Sequence, residues 1–133
     1  MTVWLAGMRV TADRLNDYTP SAETTSGLVA ATNFTVNSFF ASRSPGGSVL
    51  VHCYLNYTGA GITATSGNIS DTTLCTLPSG WFPPTVINAV WGDGSEDGEC
   101  TIGTTGAVTL RSATATIPTG RNIRMTASWN AEP

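Results

Sequence analysis

Lysine is absent from this chain, and charged residues of every kind are scarce. Charged side chains make up 11% of the 133 residues, against roughly 25% in a typical soluble domain. All six basic residues are arginines, and the net charge of −3 gives a sequence pI of about 4.8. A general nucleic-acid binder needs a basic face that neutralises phosphates, so this balance argues against one.

Long apolar runs and secretory signals are missing as well. No apolar run approaches the roughly 20 residues of a membrane-spanning helix, so we expect no membrane insertion. The first nine residues, MTVWLAGMR, lack a basic stretch followed by a long apolar segment, which a secretory signal requires. We therefore expect a chain that is made in a cytoplasm.

Groups that commonly carry catalysis or bind metals are few. His52 is the single histidine, and because neighbouring residues of a strand point to opposite faces, it is poorly placed to activate Cys53. The cysteines at positions 53, 75 and 100 have no CxxC spacing for zinc. Their odd number favours free thiols buried in strands, with a Cys75–Cys100 disulfide as the alternative. The sequence predicts no enzyme and no cofactor.

The polar residues that are present suit strands and tight turns, since they are mostly threonine, serine, asparagine and glycine. From residue 28 onward, apolar and polar residues alternate with the period of two that marks a β-strand. Residues 48–57 form the strongest strand, and both of its faces are largely apolar. Such a strand is usually covered on both sides, here by sheet packing and by a subunit contact. The pattern predicts an all-β, jelly-roll-like antiparallel β-sandwich over residues 27–133.

Residues 1–26 depart from this pattern and predict an N-terminal arm and linker. Thr11 can cap a short helix over residues 11–17, and Asp13 lies in its first turn, where the helix dipole favours an acid. Residues 18–27 are polar and proline-broken, as in a linker or an extended arm. The apolar side chains of the arm are too many for a free tail, so they should pack on the domain, a neighbouring subunit or a larger assembly: Val3, Trp4, Leu5, Met8, Val10 and Leu15.

Residues 76–91 combine a stiff loop with a β-branched strand. Three prolines fix the backbone angle φ and remove amide donors around Trp81 and Phe82. Exposed aromatics on a rigid loop can stack on sugars or enter partner pockets. The structural alternative places Trp81 and Phe82 in a subunit interface or at the edge of the core, with Trp91 in the core itself. The two loop aromatics are the candidate partner or ligand surface.

Residues 93–99, DGSEDGE, partly match a calcium-binding loop. Thr104 stands where that loop needs a bidentate glutamate, and helical flanks are missing. A solvated hairpin tip explains the same residues, so we predict no metal and keep Asp93, Asp97 and Glu99 as the candidates for a cation site. A glycosidase needs two carboxylates held about 5–9 Å apart across a cleft, which one glycine-rich loop does not provide.

Two stretches resemble bacteriophage structural proteins. Residues 4–16, WLAGMRVTADRLN, are similar to the N-terminal motif of many tail and virion proteins: an aromatic, Ala-Gly, a Leu-Thr-Ala-like step with Val10 in the leucine position, then Leu-Asn. Residues 77–84, LPSGWFPP, are similar to the Leu-Pro-small-Gly-aromatic step that precedes a strand in phage fibre and receptor-binding heads. Val108 to Leu110 and the strand from Gly120 to Trp129 resemble the ending of such heads.

The resemblance implies a virion structural protein, homotrimeric, with a β-sandwich head that attaches to a host-surface glycan. It also implies that the arm docks to other virion proteins through Trp4, Leu5, Met8, Val10 and Leu15. Because the chain has no repeats that would form a shaft, a short tail or fibre appendage is favoured. The alternatives are a capsid decoration protein or head fibre, distinguished by its higher copy number, and a glycan depolymerase that uses the acidic loop.

Overall fold

The computed structural model describes residues 6–7 and 21–131 of the chain. Every regular element in these two ranges is a β-strand, which confirms the all-β prediction. Among these residues there is no helix of the length and apolarity needed to span a bilayer. The short helix predicted over residues 11–17 lies outside them. The strands are β1 (Ala22–Thr24), β2 (Val29–Ala30), β3 (Phe34–Arg43), β4 (Ser48–Tyr57), β5 (Asn68–Thr76), β6 (Ile87–Gly92), β7 (Asp97–Ile102), β8 (Ala107–Ser112) and β9 (Asn122–Asn130).

The strands of the described region form one antiparallel sheet in the order β1-β3-β4-β9-β6-β7-β8-β5-β2. Three neighbouring pairs are hairpins: β3 with β4, β6 with β7, and β7 with β8. Gly47 and Gly106 stand in two of the hairpin loops with φ of 88° and 84°, where a residue without Cβ has no steric penalty. The remaining connections cross between strands that are not neighbours in the sheet.

Strand β4 has one buried and one outward face. The subunit contact predicted to cover its second face stays a prediction. The buried face is at most 5% exposed and consists of Val49, Val51, Cys53, Leu55 and Tyr57. The outward face is exposed or half-buried and includes Leu50, His52, Tyr54 and Asn56. Strand β9 repeats the pattern with Ile123, Met125, Ala127 and Trp129 inward. Burial of these apolar side chains, at roughly 25 cal/mol per Å², is the main contribution to the stability of the fold.

The sheet curls until distant strands meet across its interior. Strands β4 and β5 are third and eighth in the sheet order, yet the thiol of Cys53 lies close enough to that of Cys75 to raise its pKa, and burial raises it further. Burial is also the main cause that raises the pKa of Cys100 to about 12. All three thiols are free and buried, as predicted, and a thiol that stays protonated is a poor nucleophile.

Residues 22–30 connect the two edges of the curled sheet. Strand β1 is hydrogen-bonded to β3, and β2 is hydrogen-bonded to β5 on the far edge. The connection passes Gly27, where φ is 92° and an added Cβ would lie 3.0 Å from the Pro78 side chain. Ala22–Thr24, which the sequence places in the linker, therefore belongs to the sheet. The domain division at residue 26 and the jelly-roll arrangement stay predictions.

Trp91 marks the junction of three strands, and its predicted place in the core is confirmed by an exposure of 1%. Its indole Nε1 donates a hydrogen bond to the Ser112 carbonyl at 3.0 Å. Gly98 is its register partner on β7. A Cβ at Gly98 would lie 2.6 Å from the Ser112 carbonyl carbon and 2.7 Å from Trp91 Nε1. Only glycine allows the backbone at the end of β8 to approach β7 this closely.

Candidate functional site

The loop that carries Trp81 and Phe82 is packed on the end of the sheet. Both rings are half-buried and contact the hydrophobic core. The Arg43 guanidinium lies 5.0 Å from the centroid of the Trp81 ring, and Arg43 Nη2 donates a hydrogen bond to the Gly80 carbonyl. Because a cation covers one face of the indole, less of the ring is free to stack on a sugar.

Phe82 fills the space beside the β7–β8 hairpin. A Cβ at Gly106 would lie 2.6 Å from Phe82 Cδ1, so the ring rests directly on the glycine backbone. The Gly106 carbonyl accepts a hydrogen bond from the Leu77 amide at 2.9 Å, which ties the start of the loop to the same hairpin. These contacts favour the packing alternative for both aromatics, and a role for them in binding stays a prediction.

The acidic loop uses one carboxylate to shape its own turn. Asp93 Oδ1 accepts hydrogen bonds from the backbone amides two and three residues further on, at 2.8 and 2.7 Å. The Asp93 side chain is fully buried, and its Oδ2 lies 3.7 Å from Arg121 Nε. Asp97 and Glu99 are exposed on the outward face of β7. Within residues 21–131, no three His, Cys, Asp or Glu side chains are grouped so that they could hold a metal ion.

His52 points away from the core and does not approach the buried thiol of Cys53, as predicted from the strand alternation. Its Nδ1 is 3.0 Å from Thr126 Oγ1 on the neighbouring strand β9. The histidine is therefore engaged in a cross-strand contact on the outward face of the sheet.

The N-terminal segment joins the head at the end of the sheet that holds Arg43. Ala22 is the register partner of Arg43, so the chain enters the sheet beside the β3–β4 hairpin. The side chains predicted to anchor the protein lie outside the described residues: Trp4, Leu5, Met8, Val10 and Leu15.

A pocket of about 370 Å³ opens at the other end of the sheet, and we call it the distal pocket. Its floor is apolar, since Phe34, Tyr57 and Ile62 are at most 8% exposed. The rings of Phe34 and Tyr57 lie 5.0 Å apart and are inclined at 44°. The rim carries hydroxyl and amide groups and no charged side chain: Thr32, Asn33, Thr63, Ser70 and Thr72.

Asn33 occupies the rim in a strained backbone conformation. Its φ of 69° lies in the left-handed region, which asparagine tolerates better than other residues with a Cβ. The Asn33 carbonyl accepts a hydrogen bond from the Thr58 amide at 2.8 Å, which fixes the backbone and leaves the side-chain amide exposed. Strain of this kind at a residue other than glycine concentrates at ligand sites.

The rim groups are available to a ligand. Asn33, Thr63 and Ser70 are exposed, and in the described part of the chain their side chains make no hydrogen bond. An uncharged rim of donors and acceptors above an apolar floor suits a neutral sugar, because hydroxyls bind the rim while C–H groups pack on the floor.

The sequence prediction did not include the distal pocket. Its residues come from the turn before β3, the end of β4, the connection after it and β5, so no local motif unites them. The one local signal is Asn33, a residue that favours left-handed turns, placed directly before a strand.

Comparison with protein-family models, with curated proteins and with solved structures finds no match for this chain. The likeness of residues 4–16 and 77–84 to phage proteins therefore stays a prediction from sequence.

Proposed function

We propose that the protein is a bacteriophage structural protein, a tail or fibre appendage whose β head attaches to a neutral glycan of the host surface. Its N-terminal segment docks the head to other virion proteins. The observation that carries the proposal is the uncharged distal pocket, which opens at the end of the sheet opposite to the N-terminal segment. The site of action is the virion, after synthesis in the host cytoplasm.

The distance between the two ends supports this assignment. Strand β3 runs for ten residues from the distal pocket to the N-terminal entry point. At roughly 3.3 Å per residue, this separates the two by about 30 Å. A head held at its N-terminal end would therefore present the pocket outward, toward a surface that the particle approaches.

The chemistry of the pocket supports a neutral sugar. A ligand pocket commonly combines an apolar lining with a few polar groups that fix orientation. Here Phe34 and Tyr57 provide the apolar part, and Asn33 and Ser70 provide an amide and a hydroxyl at the rim.

Replacing Asn33 with glycine is expected to weaken glycan binding about five- to tenfold without loss of stability. Glycine keeps the left-handed backbone and removes only the amide, whose hydrogen bonds contribute about 1 kcal/mol. Binding of the purified chain to a panel of immobilised neutral oligosaccharides measures the effect, and thermal unfolding measures stability.

The matched control is Ser66→Gly. Ser66 is the other residue with a Cβ at positive φ, 51°, among the described residues, and it does not line the distal pocket. Glycan binding should be unchanged in this variant. The glycan proposal fails if the native chain binds no oligosaccharide of the panel, or if Asn33→Gly binds as tightly as Ser66→Gly.

Deleting residues 1–18 is expected to abolish incorporation into phage particles while the head stays folded. Within residues 21–131 the first strand begins at Ala22, so all strands of that range are retained. Immunoblotting of purified particles measures incorporation, and far-ultraviolet circular dichroism of the isolated variant measures folding. Normal incorporation of the shortened chain would contradict docking through this segment.

A capsid decoration protein or head fibre is the second candidate. The exposed side chain of Leu50, at 41% on the outward face of β4, gives an apolar surface that a capsid lattice could cover. Copy number separates the two locations, because decoration proteins are present in many more copies per particle than tail parts. A depolymerase is disfavoured, since the Asp93 carboxylate is buried and bonded within its own turn.

The finer fold prediction is also retained as a proposal. We infer that the curled sheet is a jelly-roll-like sandwich in which β3, β4 and β9 oppose β5 and β8. The closeness of the buried Cys53 thiol on β4 to the Cys75 thiol on β5 supports this arrangement, because the two side chains come from the two opposed groups of strands.

A further inference from the structure

Strand β6 has one edge that is only partly paired. On one side all six of its residues are in register with β7. On the other side only Trp91 and Gly92 are paired with β9. Within residues 21–131, therefore, residues 87–90 have no register partner on that side. A strand edge without a partner offers free backbone amides and carbonyls, to which an extended segment of another chain can add.

Nothing in β6 itself blocks this edge. Proteins usually protect an exposed strand edge with a charged side chain, a proline, a bulge or a very short strand. Strand β6 has no charged residue and no proline, and its register with β7 runs without a bulge. The outermost strands of the sheet, β1 and β2, have only three and two residues, so shortness protects them. The open edge of β6 thus suits a partner that adds a strand.

The outward face beside this edge is apolar and acidic. Val90 is 69% exposed, and its register partner on β7 is Glu99. A groove of about 580 Å³, which we call the acidic groove, lies over β6, β7 and residues 112–114, and it is lined by Val90, Asp97 and Glu99. Of the described residues, no basic one lines the groove, and neither carboxylate is in an ion pair.

Arg111 on β8 is the basic residue closest to these acids in the sheet order. Its Nη1 donates a hydrogen bond to Asp71 Oδ2 at 2.8 Å, so its charge is already paired with an acid on β5. Strands β6 and β7 contain no basic residue. The acidic charge of the groove is therefore unbalanced, and a partner that brings a cation complements it.

We propose that the open edge of β6 binds an extended segment of a partner protein in which apolar and basic residues alternate. Backbone hydrogen bonds join the segment to residues 87–90. An arginine or lysine on its outward face reaches Glu99 or Asp97, because β7 lies two strand spacings, or about 10 Å, from the added strand. The methylene stem of that side chain covers Val90 on the way.

Charge selects a partner protein over a second copy of β6. Two β6 edges paired with each other would bring the Val90 side chains together, but also the carboxylates of both copies and no cation from β6 or β7. Like charges across a contact are costly, so the partner has to supply the basic side chains. The proposal does not depend on glycan binding, since the acidic groove and the distal pocket share no residue.

Binding of labelled peptides to the purified full-length chain tests this contact. The first probe is an end-blocked peptide of alternating valine and arginine, and the second has glutamate in place of arginine. Fluorescence anisotropy should show saturable binding of the first probe only. Methylating the backbone nitrogens of every valine, or of every arginine, removes the donors along one edge of the peptide. One of these two methylated forms should therefore bind about tenfold more weakly.

Substitutions in the chain locate the contact. Glu99→Gln should weaken binding of the arginine peptide about two- to fivefold, as for an exposed ion pair. Glu23→Gln, on the exposed strand β1, is the control with the same change of charge. Val90→Thr keeps the branched side chain and removes apolar contact, so it should also weaken binding. Its control is Val29→Thr, on β2 and 64% exposed, and both controls should bind as the native chain does.

The outcomes decide the proposal separately from glycan binding. Weaker binding by Glu99→Gln and Val90→Thr, with both controls unchanged, supports it. It is overturned if the native chain shows no saturable binding up to millimolar peptide, if the glutamate peptide binds equally well, or if neither methylated form binds more weakly. Self-association of the native chain that Val90→Thr abolishes would assign the edge to a second copy instead. Circular dichroism confirms that each variant is folded, and glycan binding through Asn33 without peptide binding would leave the proposed function intact.

Discussion

Replacing Gly98 with alanine is expected to lower the free energy of unfolding by about 3 kcal/mol or more, the upper end of what overpacking costs. The added methyl group would lie 2.6 Å from the carbonyl carbon of Ser112 and 2.7 Å from Nε1 of Trp91. The first of these atoms is backbone and the second belongs to a side chain that is 1% exposed. Neither atom can move away from the added methyl group without a shift of the surrounding core. Urea unfolding followed by tryptophan fluorescence measures the loss.

Gly103→Ala is the control for this change. Gly103 has ordinary backbone angles, and the nearest atom to its added Cβ is the Ala107 carbonyl oxygen at 3.8 Å, an ordinary van der Waals distance. Its effect should stay within about 0.5 kcal/mol, as for most surface substitutions. Similar stabilities of the Gly98 and Gly103 variants would show that the backbone at the end of β8 does not pass as closely over β7 as described.

Replacing Trp91 with alanine is expected to cost about 3–5 kcal/mol, the range for a large aromatic removed from a core. The side chain lies among β6, β7 and the end of β8, so its removal leaves a cavity that the surrounding strands cannot close. Trp91→Phe should cost less, because a ring remains, but it leaves the Ser112 carbonyl without its donor. Thermal and urea unfolding of both variants measure the difference.

Trp81→Ala compares the same substitution at a half-buried position. Trp81 contacts the core from the loop and stacks with Arg43, so its removal should cost clearly less than that of Trp91. Greater destabilisation by Trp81→Ala than by Trp91→Ala would contradict the assignment of Trp91 to the centre of the fold. Lost oligomerisation of a folded Trp81→Ala variant would support the predicted interface role of this residue.

The strands could be predicted because one face of each is buried, so apolar and polar residues alternate along the sequence with a period of two. In β4 and β9 the inward positions are apolar without exception, and the predicted faces are confirmed. Residues 68–71 were harder, since Asn68-Ile69-Ser70-Asp71 has one apolar side chain and resembles a turn. They join β5 because Asn68 pairs with Ser112 of β8 ahead of a register shift, which is a long-range effect that no local pattern contains.

The closure of the sheet could not be predicted from the sequence. Ala22–Thr24 and Val29–Ala30 are short and polar or small, and they become strands only because the edges of β3 and β5 offer them hydrogen bonds. Nor does the sequence indicate that position 98 must be glycine. The constraint comes from the backbone of Ser112, fourteen residues further along the chain, which leaves no space for a Cβ at Gly98. Both features depend on contacts between distant segments, which is where sequence patterns carry least information.

The candidate site shows the same limit. The sequence drew attention to Trp81 because aromatics in proline-rich loops often bind ligands, but Arg43, thirty-eight residues earlier, covers its ring. The distal pocket was not predicted, because Asn33 and Ser70 meet only when β5 curls around to the start of β3. The chain has many asparagine, serine and threonine residues. Which of them surround an apolar floor depends on how the sheet curls, and the sequence pattern does not show this.

The central claim, that the distal pocket recognises a neutral glycan, is tested most directly by nuclear magnetic resonance. The ¹⁵N-labelled chain is titrated with the neutral oligosaccharide that binds most tightly in the immobilised panel. The predicted result is that amide shifts change at Asn33, Thr63 and Ser70 and that the changes disappear in Asn33→Gly. Changes confined to the loop of Trp81 or to Asp97 and Glu99, with none at the distal pocket, would contradict the claim.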